Sequence, residues 1–337
     1  MEGAPVANPL TRAWQGITRY VDGYVLVLMA VVVFASILPA TGPAVAPVEL
    51  ASDIAIMFLF FLYGARLSTE ETVEGIRHWR LHVLVLAFTF VMFPLLGLVT
   101  KVALDPWMSP VLVSGVLFLT LLPSTVQSSV AFTSMAKGNV AASICAASFS
   151  NLLGVLITPL LVMALMGGRA AFSFDSVEKL LIQLVLPFFV GQLLHRVLGG
   201  FLARHKSIVS KVDRLAVLLV VYTAFSAGMR EHMWSLVSLP EIIALLVLSG
   251  VVLAIVLAAT LMISKWLGFN WPDRIAITFA GSKKSMASGL PMAKVLFSGG
   301  QVGILVLPLM IFHQLQLIVC AQLARRWAQR DEEPVDR

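Results

Sequence analysis

The chain has 337 residues, of which 59% are hydrophobic and 12% charged, with a mean hydropathy of +0.92. Soluble domains are roughly 45–50% apolar and about 25% charged, so this composition excludes an ordinary soluble enzyme or binding module and describes a polytopic membrane protein. The formal net charge of +6 does not indicate a nucleic-acid partner, because most Arg and Lys residues sit in short stretches between apolar runs, where they orient helices in a bilayer.

The apolar runs are long enough to cross about 30 Å of hydrocarbon as helices and lack the period-two alternation of a membrane barrel, which predicts an all-α fold. In chain order, spans are expected near 20–38, 50–67, 80–100, 108–136, 139–166, 177–198, 212–229, 240–265, 272–296 and 302–324. The run from Tyr20 to Leu38 is long enough to remain as a span rather than serve as a cleaved signal. Span four is too long for one straight crossing and is interrupted by Pro123, Ser124 and Thr125.

Charge tests this division independently. Arg12 and Arg19, then Arg66, Arg77 and Arg80, then Lys137, then Arg196, Arg204, Lys206, Lys211 and Arg214, then Lys265 and Arg274, and finally Arg325, Arg326 and Arg330 occupy alternate connections. The intervening ones carry Lys101, Arg169, Lys179, Arg230 and Lys294. This bias predicts an even number of spans with both termini cytoplasmic, in what reads as a bacterial cytoplasmic (inner) membrane. Glu70, Glu71 and Glu74 read as solvated loop residues, and the tail carrying Asp331, Glu332, Glu333 and Asp336 as disordered. Cys145 and Cys320 fall inside spans, as packing groups rather than a disulfide. No zinc spacing, P-loop, dinucleotide fingerprint or Ser-His-Asp constellation is present, so no enzymatic activity and no cofactor are expected.

Two segments stand out chemically. Leu122-Pro123-Ser124-Thr125-Val126-Gln127-Ser128-Ser129 interrupts span four, and Gly281-Ser282-Lys283-Lys284-Ser285 through Gly289-Leu290-Pro291 interrupts span nine. A charge at the bilayer centre costs about 2.5–3.5 kcal/mol on insertion scales, so Lys283 and Lys284 need a wet or protein-lined setting. Ser128 precedes the triplet Met135-Ala136-Lys137 at the spacing at which Ser285 precedes Met292-Ala293-Lys294, a weak internal match nearly half the chain apart. It divides the chain into a first five-helix repeat over 20–166 and a second over 167–324, flanked by a cytoplasmic segment 1–19 and a tail 325–337. Broken helices meeting at mid-membrane expose carbonyls for cations and amides for anions, so their crossing is the expected binding site. Thr125, Gln127, Ser128, Ser129, Ser282, Lys283, Lys284 and Ser285 belong to it, with Asn151, Ser148 and Ser150 of span five on the same side. The alternative for the lysines is structural, with one capping helix carbonyls and its neighbour in the cavity. His195 is expected at the cytoplasmic interface; Gln314 and Gln316, two residues apart, point to opposite sides of span ten.

These segments, together with Met135-Ala136-Lys137-Gly138-Asn139-Val140-Ala141, resemble the sodium/bile acid symporter family in its type 7 bile acid cotransporter-like branch, over nearly the whole chain. The resemblance implies ten transmembrane helices in two inverted five-helix repeats. A panel of spans 1, 2, 6 and 7 would move against a core of spans 3–5 and 8–10, with helices four and nine unwound where they cross. It implies a first sodium site around Ser128, Ser129 and Ser143, with Ala147 where a hydroxyl is expected. Ser282 stands where the family has an acid that bridges two sodium ions, and Lys283, Ser285 and Met286 align with the second site.

Sodium benefits from a carboxylate, and here a hydroxyl and two ammonium groups replace it, which argues for a weak or lost sodium site at Ser128, Ser129, Ser143 and Ser282. A lysine ammonium can take the electrostatic role of a bound cation. The expected function is secondary transport of a small organic anion across the lipid bilayer, by a lysine-assisted or proton-linked mechanism. The alternative is a non-transporting membrane regulator of ion handling or envelope assembly on the same fold.

Overall fold

The computed structural model describes residues 23–66, 78–166, 181–297 and 301–329. Segment 1–19, the starts of spans one and six, Glu70, Glu71, Glu74 and the acidic tail lie outside these residues. Among the described residues the chain is helical, without a strand. The helices are α1 (Gly23–Ile37), α2 (Val45–Arg66), α3 (Trp79–Leu104), α4 (Pro110–Leu121), α5 (Val126–Met135), α6 (Val140–Met166) and α7 (Leu181–Leu193). There follow α8 (His195–Arg204), α9 (Lys206–Arg230), α10 (Leu239–Trp266), α11 (Trp271–Gly281), α12 (Met286–Leu296) and α13 (Val302–Gln329).

Local chemistry sets the boundaries. Ser238 and Glu241 form a capping box at the start of α10, and Asn270 accepts the Asp273 amide at the start of α11. Between α5 and α6 the chain reverses through Lys137, at φ 57°, while the Gly138 amide donates to the Thr133 carbonyl at 2.8 Å. Asn139 then caps α6 by accepting the Ala142 amide, and its Nδ2 donates to Asp273 Oδ1 at 2.7 Å. The segment Met135–Asn139 is thus a helix stop and restart tied to the foot of α11.

Five described helices are long and apolar enough to cross a membrane: Gly42–Arg66, Trp79–Leu104, Val140–Met166, Leu239–Trp266 and Val302–Gln329. Counting the bent pairs α4–α5 (60°) and α7–α8 (89°) as single spans gives seven. Span six, expected over 177–198, therefore turns sharply at Leu194, and its last residues belong to α8. The outer surface is apolar: Val102 is 76% and Met262 70% exposed, a display suited to lipid rather than water.

Two packing groups emerge. Helix α2 lies against α7, α8 and α9, and α1 against α9. In the other group α3 packs on α4, α6 and α11, while α5 packs on α6, α11 and α13; α10 covers α11 and α13. Helix α9 meets α12 and the start of α13 where the groups join. Within the first group α2 and α7 approach through two glycines. A Cβ on Gly64 would collide with the Phe188 carbonyl, and one on Gly191 with the Phe61 carbonyl. Backbone cannot yield as a flexible side chain can, so Gly64→Leu and Gly191→Leu should each lower unfolding free energy by about 1–3 kcal/mol or more. At Gly200 no atom lies within 4 Å of the position a methyl would take, so alanine there should leave the unfolding midpoint unchanged or raised, as thermal unfolding in detergent would reveal.

Candidate functional site

Both breaks follow from the inability of their residues to continue a helix. Pro123 has no amide to donate to Leu119, so α4 ends and the chain runs extended through Leu122–Thr125 before α5 begins. The second break, Ser282–Ser285, separates α11 from α12; Ser285 caps α12 by accepting the Ser288 amide at 3.2 Å. Ending a helix in an apolar interior strands peptide groups that must find partners within the protein.

The first break can be accounted for carbonyl by carbonyl. Leu119 O accepts the Leu122 amide, and Leu121 O accepts the Thr158 hydroxyl at 2.8 Å. Pro123 O accepts the Ser285 amide at 2.8 Å, and Ser124 O accepts Asn151 Nδ2 at 2.6 Å. Thr120 O and Leu122 O accept from the ammonium of Lys284, at 2.8 and 2.7 Å. The third proton of that ammonium goes to Thr89 O at 2.9 Å, and its charge lies 4.2 Å from the Phe93 ring centroid.

Thr89 O is free for a reason written in the sequence. It lies in the π-helical turn Phe88–Met92 of α3, where the Phe93 amide donates to Phe88 O. The next residue, Pro94, has no amide at all, so neither an α nor a π bond reaches Thr89 O.

The second break borrows partners in return. Ser124 Oγ donates to Ala280 O at 2.5 Å and Ser129 Oγ to Phe279 O at 2.9 Å, capping the end of α11. Gln316 of α13 holds both sides of Lys284's backbone: Oε1 accepts its amide and Nε2 donates to its carbonyl, each at 3.0 Å. Ser150 and Asn151 do the same for Ser124, accepting its amide at 2.9 Å and donating to its carbonyl. Ser288 Oγ closes the circuit by donating to Asn151 Oδ1 at 2.8 Å. The structural match pairs Ser124 with Lys284 and Thr125 with Ser285, three residues out of register with the Ser128–Ser285 sequence match.

The lysines differ. Both are wholly buried, but Lys283 Nζ makes no hydrogen bond among the described residues. It lies 3.8 Å from the Phe132 ring centroid and 5.3 Å from that of Phe279, with Cys320 nearby. No carboxylate pairs with either lysine among the described residues.

Of the other expected site residues, Ser129 is buried and bonded to α11, and Ser143 accepts the Thr133 hydroxyl at 3.1 Å. Ser128 Oγ is buried without a partner, as is Thr278 Oγ1 on α11. Thr125 is half-buried at the break, its side chain leaving the first turn of α5 uncapped, and Gln127 is exposed. Ser285 Oγ lies 2.9 Å from Ser288 Oγ. Ser282 is buried at the end of α11. His195 sits at the α7–α8 bend with Nδ1 2.8 Å from Ala65 O. Thr89, Thr120, Phe93 and Phe132 were not singled out by sequence; Pro94 inside an apolar helix was the available signal for the first of them.

Paired helix breaks that cross-cap each other inside an apolar helical body define an integral membrane protein of transporter type. The chain belongs to the SBF-like CPA transporter family, whose family model matches residues 22–329. It is 46% identical over 316 residues to the putative symporter YfeH of Escherichia coli (strain K12), covering 94% of this chain and 95% of that one. An uncharacterized protein of Pseudomonas aeruginosa, PA2026, is 50% identical over 314 residues, 93% of this chain and 94% of its own. Sodium/bile acid cotransporter 7 of Danio rerio is 29% identical over 309 residues, 88% of this chain and 91% of its own.

The Gln316 contacts make a direct prediction. Gln316→Leu strands a buried amide and carbonyl and should cost about 1–3 kcal/mol for each group left unmade. Gln314 Oε1 is buried with no partner among the described residues, so Gln314→Leu should be neutral or stabilising. Thermal unfolding of the two purified variants beside the parent protein would separate them.

Proposed function

We propose that this chain is a secondary transporter of a small organic anion that works by alternating access, with the ammonium of Lys283 as the group that meets the anion. One observation carries the reading: a fully buried ammonium without a hydrogen-bonding partner among the described residues lies beside two crossing helix breaks. Contact with aromatic faces contributes about 2 kcal/mol when desolvated, against several kcal/mol for withdrawing an ion from water. An anionic group from a substrate would supply the missing partner, and the N-terminal end of α5, which the Thr125 side chain does not cap, favours negative charge.

In this reading ten spans form two inverted repeats, over 20–166 and 167–324, with both termini in the cytoplasm of a bacterial inner membrane. The group built from α1, α2 and α7–α9 is the panel, and the group built from α3–α6 and α10–α13 is the core. Coupling is lysine-assisted or proton-linked rather than driven by two sodium ions. Ser282 brings no carboxylate to offset the charge of sodium, and Ser143 Oγ already accepts from Thr133. The relatives named sodium/bile acid cotransporter 7 support an organic anion as the substrate class.

Reconstituted in proteoliposomes, the protein should take up an organic anion from a panel screened with sodium, proton and voltage gradients varied separately. Lys283→Met should reduce that uptake about tenfold or more, since a hydrogen bond to a charged group contributes about 1.5–3 kcal/mol. Unchanged uptake and unchanged pH response in Lys283→Met would sink the assignment. A folded protein that moves no anion under any gradient would favour the non-transporting regulator.

Movement between the groups has its own test. Lys294 of α12 donates to Asp53 of α2 at 2.7 Å and to Glu49 O at 3.3 Å, an ion pair that joins the two groups. Replacing both Asp53 and Lys294 with cysteine and bridging the pair with a reducible bifunctional thiol reagent that spans the length of the lost lysine should arrest uptake, with recovery on reduction; uptake that continues through the cross-linked protein would rule out separation at this end.

A further inference from the structure

The ammonium of Lys284 is coordinated as a dissolved cation would be. Three carbonyl oxygens, of Thr89, Thr120 and Leu122, surround Nζ at 2.9, 2.8 and 2.7 Å, the Phe93 ring lies 4.2 Å away, and no carboxylate forms an ion pair with it among the described residues. Two of these oxygens end α4, where the helix dipole concentrates negative charge, and the third is stranded by Pro94. All three oxygens of the cage are backbone carbonyls. Its oxygens come from none of the residues that the resemblance assigns to sodium, Ser128, Ser129, Ser143, Ser282, Lys283, Ser285 and Met286.

We propose that this cage is a monovalent-cation site filled permanently by the chain's own lysine, and that removing the tether opens it to a free cation of ammonium or potassium size. Size follows from the distances: oxygen ligands approach calcium at about 2.3–2.6 Å and magnesium at about 2.0–2.1 Å, so a cage at 2.7–2.9 Å suits a larger ion of low charge density. Carbonyl oxygens alone can replace the hydration shell of potassium, as in channel filters, without a neighbouring acid. The ion would do what the ammonium does now, satisfying Thr120 O and Leu122 O and so holding the first break against α3. The inference goes beyond the transport reading and does not need it, since its readout is stability.

The test compares Lys284→Ala, which removes charge and stem together, with Lys284→Met, which removes the charge but keeps the stem. Thermal midpoints of the purified proteins are measured in methylammonium, ammonium, potassium, sodium and choline chlorides at equal ionic strength. The parent protein should respond equally to all five. Lys284→Ala should melt lower than the parent in choline and recover by about 2–4 °C or more in methylammonium, ammonium or potassium. Lys284→Met should be low throughout, with no recovery, because its stem still occupies the approach to the cage. Equal midpoints for Lys284→Ala in choline and in the small cations would overturn the proposal. So would a parent protein that shows the same cation dependence, or a Lys284→Ala protein that cannot be recovered folded in any of these salts.

Discussion

Everything at the centre of this molecule depends on one ammonium satisfying three carbonyls. An interrupted helix in an apolar interior leaves peptide groups that cannot turn to water, and each one left unmade costs free energy comparable to a whole hydrogen bond or more. Lys284 meets Thr89 O, Thr120 O and Leu122 O at once, with the three donors that a lysine ammonium possesses. Neutral hydroxyls could not do this, since Ser and Thr donate only one proton each. The lysine is therefore less a charge placed in a membrane than a tripod cap placed where two helices fail.

Lys283 and Lys284 are adjacent in sequence and opposite in circumstance. The break between α11 and α12 is not helical, and the two consecutive side chains leave it for different neighbours. One ammonium reaches α3 and the end of α4; the other rests against Phe132 of α5 and Phe279 of α11. A continuous helix would have splayed them by about 100° and sent neither to both of these places. Division of labour between a structural cation and an unpartnered one is thus a consequence of unwinding, and it needs the two residues to be consecutive.

Sequence made the positions of the breaks legible because their cause is local: Pro123 removes a donor, and polar residues interrupt two apolar runs. It also made the structural alternative for one lysine legible, because a buried ammonium has few stable environments. What it could not supply was which lysine faced which neighbours, since that depends on the course of a non-helical segment and on carbonyls from α3 and α4. Ser129 and Ser143 were legible as hydroxyls at a crossing, yet their partners, Phe279 O and Thr133, lie on packing contacts that no spacing reveals. The α7–α8 bend at Leu194 was missed because its flanks are apolar enough to read as one continuing span.

The distribution of polar contacts bears on how such a molecule could move. Among the described residues Lys284, Gln316, Asn151, Ser124, Ser129 and Ser288 bond to one another, to the side chains of Ser150, Ser285 and His313, and to backbone of α3, α4, α6, α11 and the two breaks, all within a single packing group. Across to the other group, Gly303 lies against Ala224 and Met233, and the Lys294–Asp53 pair sits where Asp53 is 38% exposed. Exposed ion pairs contribute about 0–1 kcal/mol, whereas each buried peptide group in the crossing left without its hydrogen bond would cost about 1–3 kcal/mol. Under the transport proposal, sliding one group past the other is therefore far cheaper than disturbing the crossing. The broken helices would then travel as a rigid unit, with Lys284 keeping their ends capped while Lys283 changes its surroundings.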